Sequence, residues 1–187
     1  MRKIIVTEFI TLDGVVEAPG GSETAHPHAG WQMNYGDPAI GKYKANELAA
    51  VDGLLLGRHT YEQFASYWPT QKGGDFADRI NSLPKYIVSR RLEATQWNNC
   101  YLLRDVESDV RELKETEGGD ILVYGSATLV RSLLQENLVD ELHLLLYPLA
   151  IGGGQRIFDE QRQVNRFQLK QSHVFTNGIV LLEYTNA

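Results

Sequence analysis

The chain has a single cysteine, Cys100, among 187 residues. A lone cysteine permits no internal disulfide, and it suits a reducing cytoplasm. No run of about 18 apolar residues occurs, so no transmembrane helix is expected. The basic start Met1-Arg2-Lys3 leads into an apolar run that Thr7 and Glu8 interrupt. No small-residue cleavage site follows, and a secretory signal is not expected. Positive charge is short: 18 Lys and Arg stand against 24 Asp and Glu, a formal net charge of -6. That balance disfavours a general nucleic-acid binder while leaving room for local basic spots that hold a phosphate. The dinucleotide fingerprint GxGxxG and the P-loop pattern GxxxxGK[ST] are both missing. So are internal repeats, low-complexity stretches and linkers.

What is present is an ordinary globular composition, 43% hydrophobic and 22% charged. One domain spanning residues 1–187 can bury a sizeable core unaided. "KIIVTEFI" (3–10) reads as a strand rich in β-branched residues. "TLDGVVEAPGG" breaks it, and a long polar loop with "HPHAGWQMNYGD" runs to about Pro38. "DPAIGKYKANELAAV" reads as a helix with Asp37 as N-cap, Pro38 at its first position and Ile40, Tyr43 and Leu48 on one face. "DGLLLG" is a short buried strand, and a helix runs from about His59 to Tyr67. "KYIVS" (85–89) is another buried strand and "NCYLLR" a weaker one. "VESDVRELKETEG" has amphipathic helical spacing, with Ser108 as a cap and Gly118-Gly119 as its end. Strand "DILVYG", helix "SATLVRSLLQENL" and the long strand "VDELHLLLYPLAI" follow. The Gly-rich "GGGQRIF" comes next, then a hairpin of "RFQLKQSHVF" and "GIVLLEYT" around Thr176-Asn177-Gly178. The alternation predicts an α/β fold: a mainly parallel sheet, helices on both faces and an antiparallel edge.

Two strand-to-helix turns are alike, Leu56-Gly57-Arg58-His59-Thr60 and Tyr124-Gly125-Ser126-Ala127-Thr128. A helix start exposes unpaired N–H groups and the positive dipole end, and glycine lets a phosphate come close. Both are equally readable as ordinary N-caps. Ser89-Arg90-Arg91, at a third strand end, suits a bidentate phosphate grip or a solvated basic loop. Arg58, Arg90 and Arg91 near one another would fit an extra ribose phosphate and so favour NADPH over NADH.

In order along the chain, "TLDGVV", "LLLGRHTYE", "KYIVSRR", "ILVYGSATLV" and "VDELHLLLYPLAIGGGQRIF" resemble the dihydrofolate reductase superfamily. The likeness is greatest to the stand-alone form of the reductase domain of bacterial riboflavin biosynthesis. One cysteine cannot supply the zinc site of the deaminase module associated with that domain. The resemblance implies a dihydrofolate reductase-like fold with a central, mostly parallel sheet. It implies NADPH as hydride donor and a reaction like that of 5-amino-6-(5-phosphoribosylamino)uracil reductase, on a small heterocyclic or sugar-linked substrate. Gly57, Arg58 and Thr60 would then sit by the cofactor phosphates, Ser89 and Arg90 by the adenine ribose and its 2'-phosphate. Gly125, Ser126, Ala127, Thr128 and Leu129 would hold the pyrophosphate, and residues 10–16 would border the nicotinamide. Trp31 and Gly153 fall at the substrate end.

Asp13 is the candidate proton donor, with a plain turn residue as its other reading. Glu8 faces either a cleft or solvent. Glu47, the acid of the first helix, has no evident place in a pterin pocket. His59 reads as a helix-start residue, His143 as facing one side of a strand and Cys100 as structural. His26 and His28 lack further ligands, and no metal site is expected. The apolar residues Ile179 to Leu182 suit either a fully buried strand or a homodimer surface. A nucleotide-binding module without catalysis and a dihydrofolate reductase with altered substrate contacts are the competing functions. The partner expected in each case is a small molecule, not nucleic acid or membrane.

Overall fold

The computed structural model describes residues 1–21, 25–158 and 164–187. Its strands are β1 (Ile4–Thr11), β2 (Gly53–Gly57), β3 (Lys85–Val88), β4 (Cys100–Leu103), β5 (Ile121–Val123), β6 (Glu141–Tyr147), β7 (Phe167–Val174) and β8 (Val180–Asn186). They form one sheet in the order β4-β3-β2-β5-β1-β6-β8-β7. Pairings from β4 across to β6 are parallel. β8 runs antiparallel to β6 and to the edge strand β7, so this side of the sheet ends in antiparallel pairings. The β2 sequence Gly-Leu-Leu-Leu-Gly does not alternate because it is buried on both faces, as central parallel strands are.

Helices cover both faces. α4 (Val106–Glu115) and α5 (Ala127–Gln135) bury Val110, Leu113, Leu129, Val130 and Leu133 against Ile4, Val6, Ile121 and Val123. On the other face, α1 (Pro38–Ala49), α2 (Arg58–Tyr67) and α3 (Asp75–Ser82) pack Leu48, Tyr61 and Ile80 onto Leu54, Leu56 and Ile87. A third cluster joins Trp31 and Ile40 to Leu145, Tyr147, Ile179 and Leu181. The C-terminal apolar residues are thereby spent within the chain. Leu181 enters the third cluster and Leu182 packs against the first, so they carry no argument for a second copy.

Three local readings change. α3 lies where the sequence shows no helical stripe; it is eight residues long and buries only Ala77 and Ile80. α4 is capped by Asp105, whose carboxylate accepts from the N–H groups of Glu107 and Ser108; Ser108 is inside the helix. The long loop contains a 3-10 turn, Trp31–Tyr35, with Trp31 buried. Asp37 caps α1 by accepting from Ala39 N–H, as its position before Pro38 implies.

Lys85 is fully buried. Its ammonium donates to the carbonyls of Asn81 (2.7 Å), Leu83 (2.9 Å) and Asn98 (3.3 Å), and lies 4.2 Å from the centre of the Trp97 ring. It ties the end of α3 to the starts of β3 and β4. Burial pulls its pKa down to about 8, against a small opposing influence of Cys100.

Candidate active site

β1 pairs with β5 only from Ile4 to Val6, opposite Ile121 to Val123. β5 then ends, and its chain swings through Tyr124 and Gly125 toward β2, where Gly57 N–H donates to the Gly125 carbonyl at 2.9 Å. β1 runs on to Thr11, paired on its other side with β6. The sheet therefore opens at its C-terminal edge between β1 and the β5–α5 turn. Ligands of open α/β sheets bind at such an edge.

The turn requires its glycines. Gly125 has φ +99°, a region that L side chains rarely adopt. A Cβ there would lie 3.3 Å from Thr60 Oγ1 and 3.4 Å from Glu8 Oε1. A Cβ on Gly57 would meet the Ser126 side chain and stand 2.9 Å from Ser126 N. Gly57, Thr60, Gly125, Ser126 and Glu8 thus share one confined spot. α2 and α5 both start there, and neither start has a side-chain cap or an acidic residue in its first turn. α1 and α4, by contrast, are closed by Asp37 and Asp105. Open N–H donors and the positive ends of two helices point to an anion.

Most residues expected at the cofactor lie on this edge. Gly57 is opposite Val88 in register, so Ser89 and Arg90 follow one step beyond the Gly57–Arg58 turn. Ser89 is buried, and its Oγ accepts from the N–H groups of Arg91 and Leu92, which shapes the turn. Arg90 is exposed and pairs with Asp105 at 3.1 Å. Arg58 makes a two-pronged contact with Glu62, at 2.8 and 2.9 Å. Ala127 and Thr128 open α5; Thr128 is exposed. Leu129 has its side chain in the core, so only its backbone is available to a ligand.

Asp13 is a binder of loops. Its carboxylate accepts from Thr11 Oγ1 (2.6 Å), Gly152 N–H (2.7 Å) and Ile151 N–H (3.2 Å). Arg156 donates to the Asp13 carbonyl at 2.9 Å. The bond from Thr11, followed by those from Gly152 and Ile151, holds the carboxyl down at about 2. A group that stays ionised so far below neutrality, with its oxygens committed, is poorly placed to give up a proton; its carboxylate ties the turn after β1 to the loop at Ile151 and Gly152. Gly153 belongs to the loop so tied, and its carbonyl lies 2.9 Å from His26 Nε2. Trp31 is only 4% exposed, donates through Nε1 to the Glu17 carbonyl at 2.8 Å and stands edge-on to Tyr147. It borders a cavity of about 560 Å³ shared with Tyr35, Leu149 and Ile151.

The residues least visible in the sequence are polar and buried. Glu8 is 7% exposed, and its Oε1 has no hydrogen-bond partner among the described residues. Burial pushes its carboxyl up to about 8, against the pull of Lys44. Tyr124 has its hydroxyl in the same unpartnered state. Lys44 of α1 has its ammonium 4.8 Å from the centre of the Tyr124 ring, donates to Thr7 Oγ1 at 2.6 Å and pairs with Glu47. Glu47 also meets His143 Nδ1 at 2.8 Å, and Tyr43 donates to Glu183 at 3.0 Å. Burial opposes ionisation of Glu47, but Lys44 and His143 outweigh it and hold Glu47 at about 2. The same contact raises His143 above its ordinary value despite burial. Glu47 thus anchors α1 to the sheet.

The architecture has solved counterparts. A putative riboflavin biosynthesis protein from a Shewanella species superposes with a TM-score of 0.74 at 19% identity, each chain covered to 99%. Dihydrofolate reductase from Enterococcus faecalis, solved with NADP(H) and RAB-propyl, gives a TM-score of 0.64 at 13% identity, covering 98% of this chain and 96% of its own. YyaP of Bacillus subtilis, a protein described as uncharacterized, is 27% identical over 98% of this chain and 94% of its own. With residues 2–181 matching the RibD C-terminal domain, the chain belongs to that family of dihydrofolate reductase-like reductase domains.

Proposed function

We propose that the protein is an NADPH-dependent reductase that transfers hydride to a small heterocyclic or sugar-linked acceptor. A substrate resembling 5-amino-6-(5-phosphoribosylamino)uracil heads the class. Reductases of this family typically use NAD(P)H. The observation that carries the reading is the pair of uncapped, acid-free helix starts at Gly57 and Ser126, meeting beside a gap in the sheet. Gly57, Thr60, Gly125, Ser126 and Thr128 suit the cofactor's phosphates. Arg58, Ser89 and Arg90, next along the edge, suit the adenine ribose and its 2'-phosphate. The bound cofactor would supply the hydride; the chain supplies orientation and a water-poor cleft.

Folate is the less favoured acceptor. Glu47 is the acid of α1, and it is held by Lys44 and His143. A homodimer belongs to the same proposal, with edge strand β7, which exposes Leu169 and Val174, as its contact; light scattering tests it. For the cofactor, NADPH is expected to quench tryptophan fluorescence and raise the melting temperature, with NADH much weaker. No response to either cofactor refutes the proposal. Where NADPH binds, its oxidation with the ribosylamino-pyrimidine and with dihydrofolate separates the two acceptors.

A further inference from the structure

We propose that Glu8 supplies the proton that accompanies the hydride, an inference that rests on the NADPH-dependent reading above. Side chains alternate along β1, and Glu8 falls on the face of Ile4, Val6 and Ile10, which pack in the core under α4 and α5. A carboxyl in that row is costly unless a ligand uses it. It stands where β1 has lost β5 as a neighbour. Gly125, on the turn that leaves β5, has no side chain to cover it. Thr60 of α2 comes to the same point, and Leu144 of β6 lies opposite in register. The charge that acts on Glu8 is Lys44 of α1, itself paired with Glu47 and stacked by Tyr124.

The arrangement suits an acid that is neutral while it waits. Reduction of a C=N or C=O bond places hydride on the carbon, and the π electrons pass to nitrogen or oxygen. The O–H bond of Glu8 breaks, and its proton goes to that atom. Glu8 is left as a carboxylate, which Lys44 stabilises until solvent returns a proton. Asp13 has no such proton to give, and Tyr124 holds its own too tightly because burial raises it well above its ordinary value.

Infrared spectroscopy of the full chain, with isotope-labelled glutamate, reads the carboxylic C=O stretch directly. A protonated glutamate band should persist at pH 7, vanish as pH passes about 8, and be absent from Glu8→Gln. The oxidised nicotinamide ring is cationic and the reduced ring neutral. Saturating NADP+ should therefore lower the midpoint relative to saturating NADPH, by roughly one pH unit or more for an adjacent charge. This comparison uses the unaltered protein and needs no acceptor. With the ribosylamino-pyrimidine and saturating NADPH, Glu8→Gln should turn over on the order of 10²- to 10⁴-fold more slowly. A midpoint equal with both cofactors, a band unchanged in Glu8→Gln, or Glu8→Gln turning over at the wild-type rate overturns the assignment while leaving NADPH binding intact. Failure of the wild-type chain to bind NADPH overturns both readings.

Discussion

Gly57→Ala tests the packing of the proposed phosphate cradle. Gly57 has φ -73° and ψ 157°, an extended backbone that alanine adopts without strain, so the perturbation is purely steric. The new methyl would lie against the Ser126 side chain, 2.9 Å from Ser126 N and 3.2 Å from Ser126 Cβ. The Oγ can rotate away, but the nitrogen belongs to the backbone at the start of α5. Relief therefore requires β2 and the β5–α5 turn to move apart, stretching the bond from Gly57 N–H to Gly125 O. Overpacking of this kind costs about 1–3 kcal/mol. For a chain of this size each kcal/mol lowers Tm by roughly 2–4 °C, so thermal melts should show a drop of about 2–12 °C. The same displacement separates the two helix starts, and NADPH should bind at least about tenfold more weakly, a loss of roughly 1.4 kcal/mol. Adding Ser126→Gly should recover only part of the stability, because the close nitrogen remains. Gly57→Ala with wild-type Tm and wild-type NADPH affinity would refute the reasoning.

Arg58→Ala should weaken NADPH by about 1–3 kcal/mol, the range of a charge-assisted hydrogen bond, and NADH by less; equal losses in calorimetry would show that Arg58 does not read the 2'-phosphate. Lys85→Met leaves three carbonyls without their donor and should cost about 2–4 kcal/mol in urea melts. Since the Lys85 pKa falls from 10.5 unfolded to about 8 folded, the unfolded chain holds more protons between those values. Wild-type stability then gains a component that rises with pH there, and the Met variant should lack it. For Glu8 the sign is opposite. Its carboxyl titrates at 4.5 unfolded and about 8 folded, so the native state loses stability as pH rises through that interval. The loss is on the order of 3–5 kcal/mol once complete. Glu8→Gln should match wild type near pH 4 and exceed it near pH 9, and parallel stability curves would contradict this.

The sequence speaks clearly where local chemistry and burial agree. Asp37-Pro38 announces the start of α1, and Asn177-Gly178 the last hairpin. The Leu run of β2 marks a strand buried on both faces, and the repeated Gly turns fix the edge where two helices begin. It is silent where a role depends on what the far chain does. α3 has too few buried positions to make a stripe, and Gly73, Gly74 and Pro84 around it read as loop. Alternation along β1 tells which residues share a face with Glu8, but not that β5 stops short and leaves this carboxyl beside a gap. Asp13 is ambiguous for a related reason. Its partners Ile151 and Gly152 are about 138 residues away along the chain, and only their N–H groups show that its oxygens are occupied. Lys44, Glu47 and His143 likewise become one network only when α1 is laid on β6.

The two uncapped helix starts bear on how long the protein survives in a cell. A serine, threonine or aspartate cap is worth about 1 kcal/mol, and neither α2 nor α5 has that closure from its own side chains. The ligand-free chain forgoes this stabilisation, and the phosphates of the proposed cofactor would restore it. At a concentration one hundred times its Kd, a ligand selective for the native state adds about 2.7 kcal/mol. That lowers the unfolded fraction on which proteases act by about a hundredfold. The supply of reduced cofactor would then govern the abundance of the enzyme as well as its rate, and a starved cell would clear the protein without any dedicated signal.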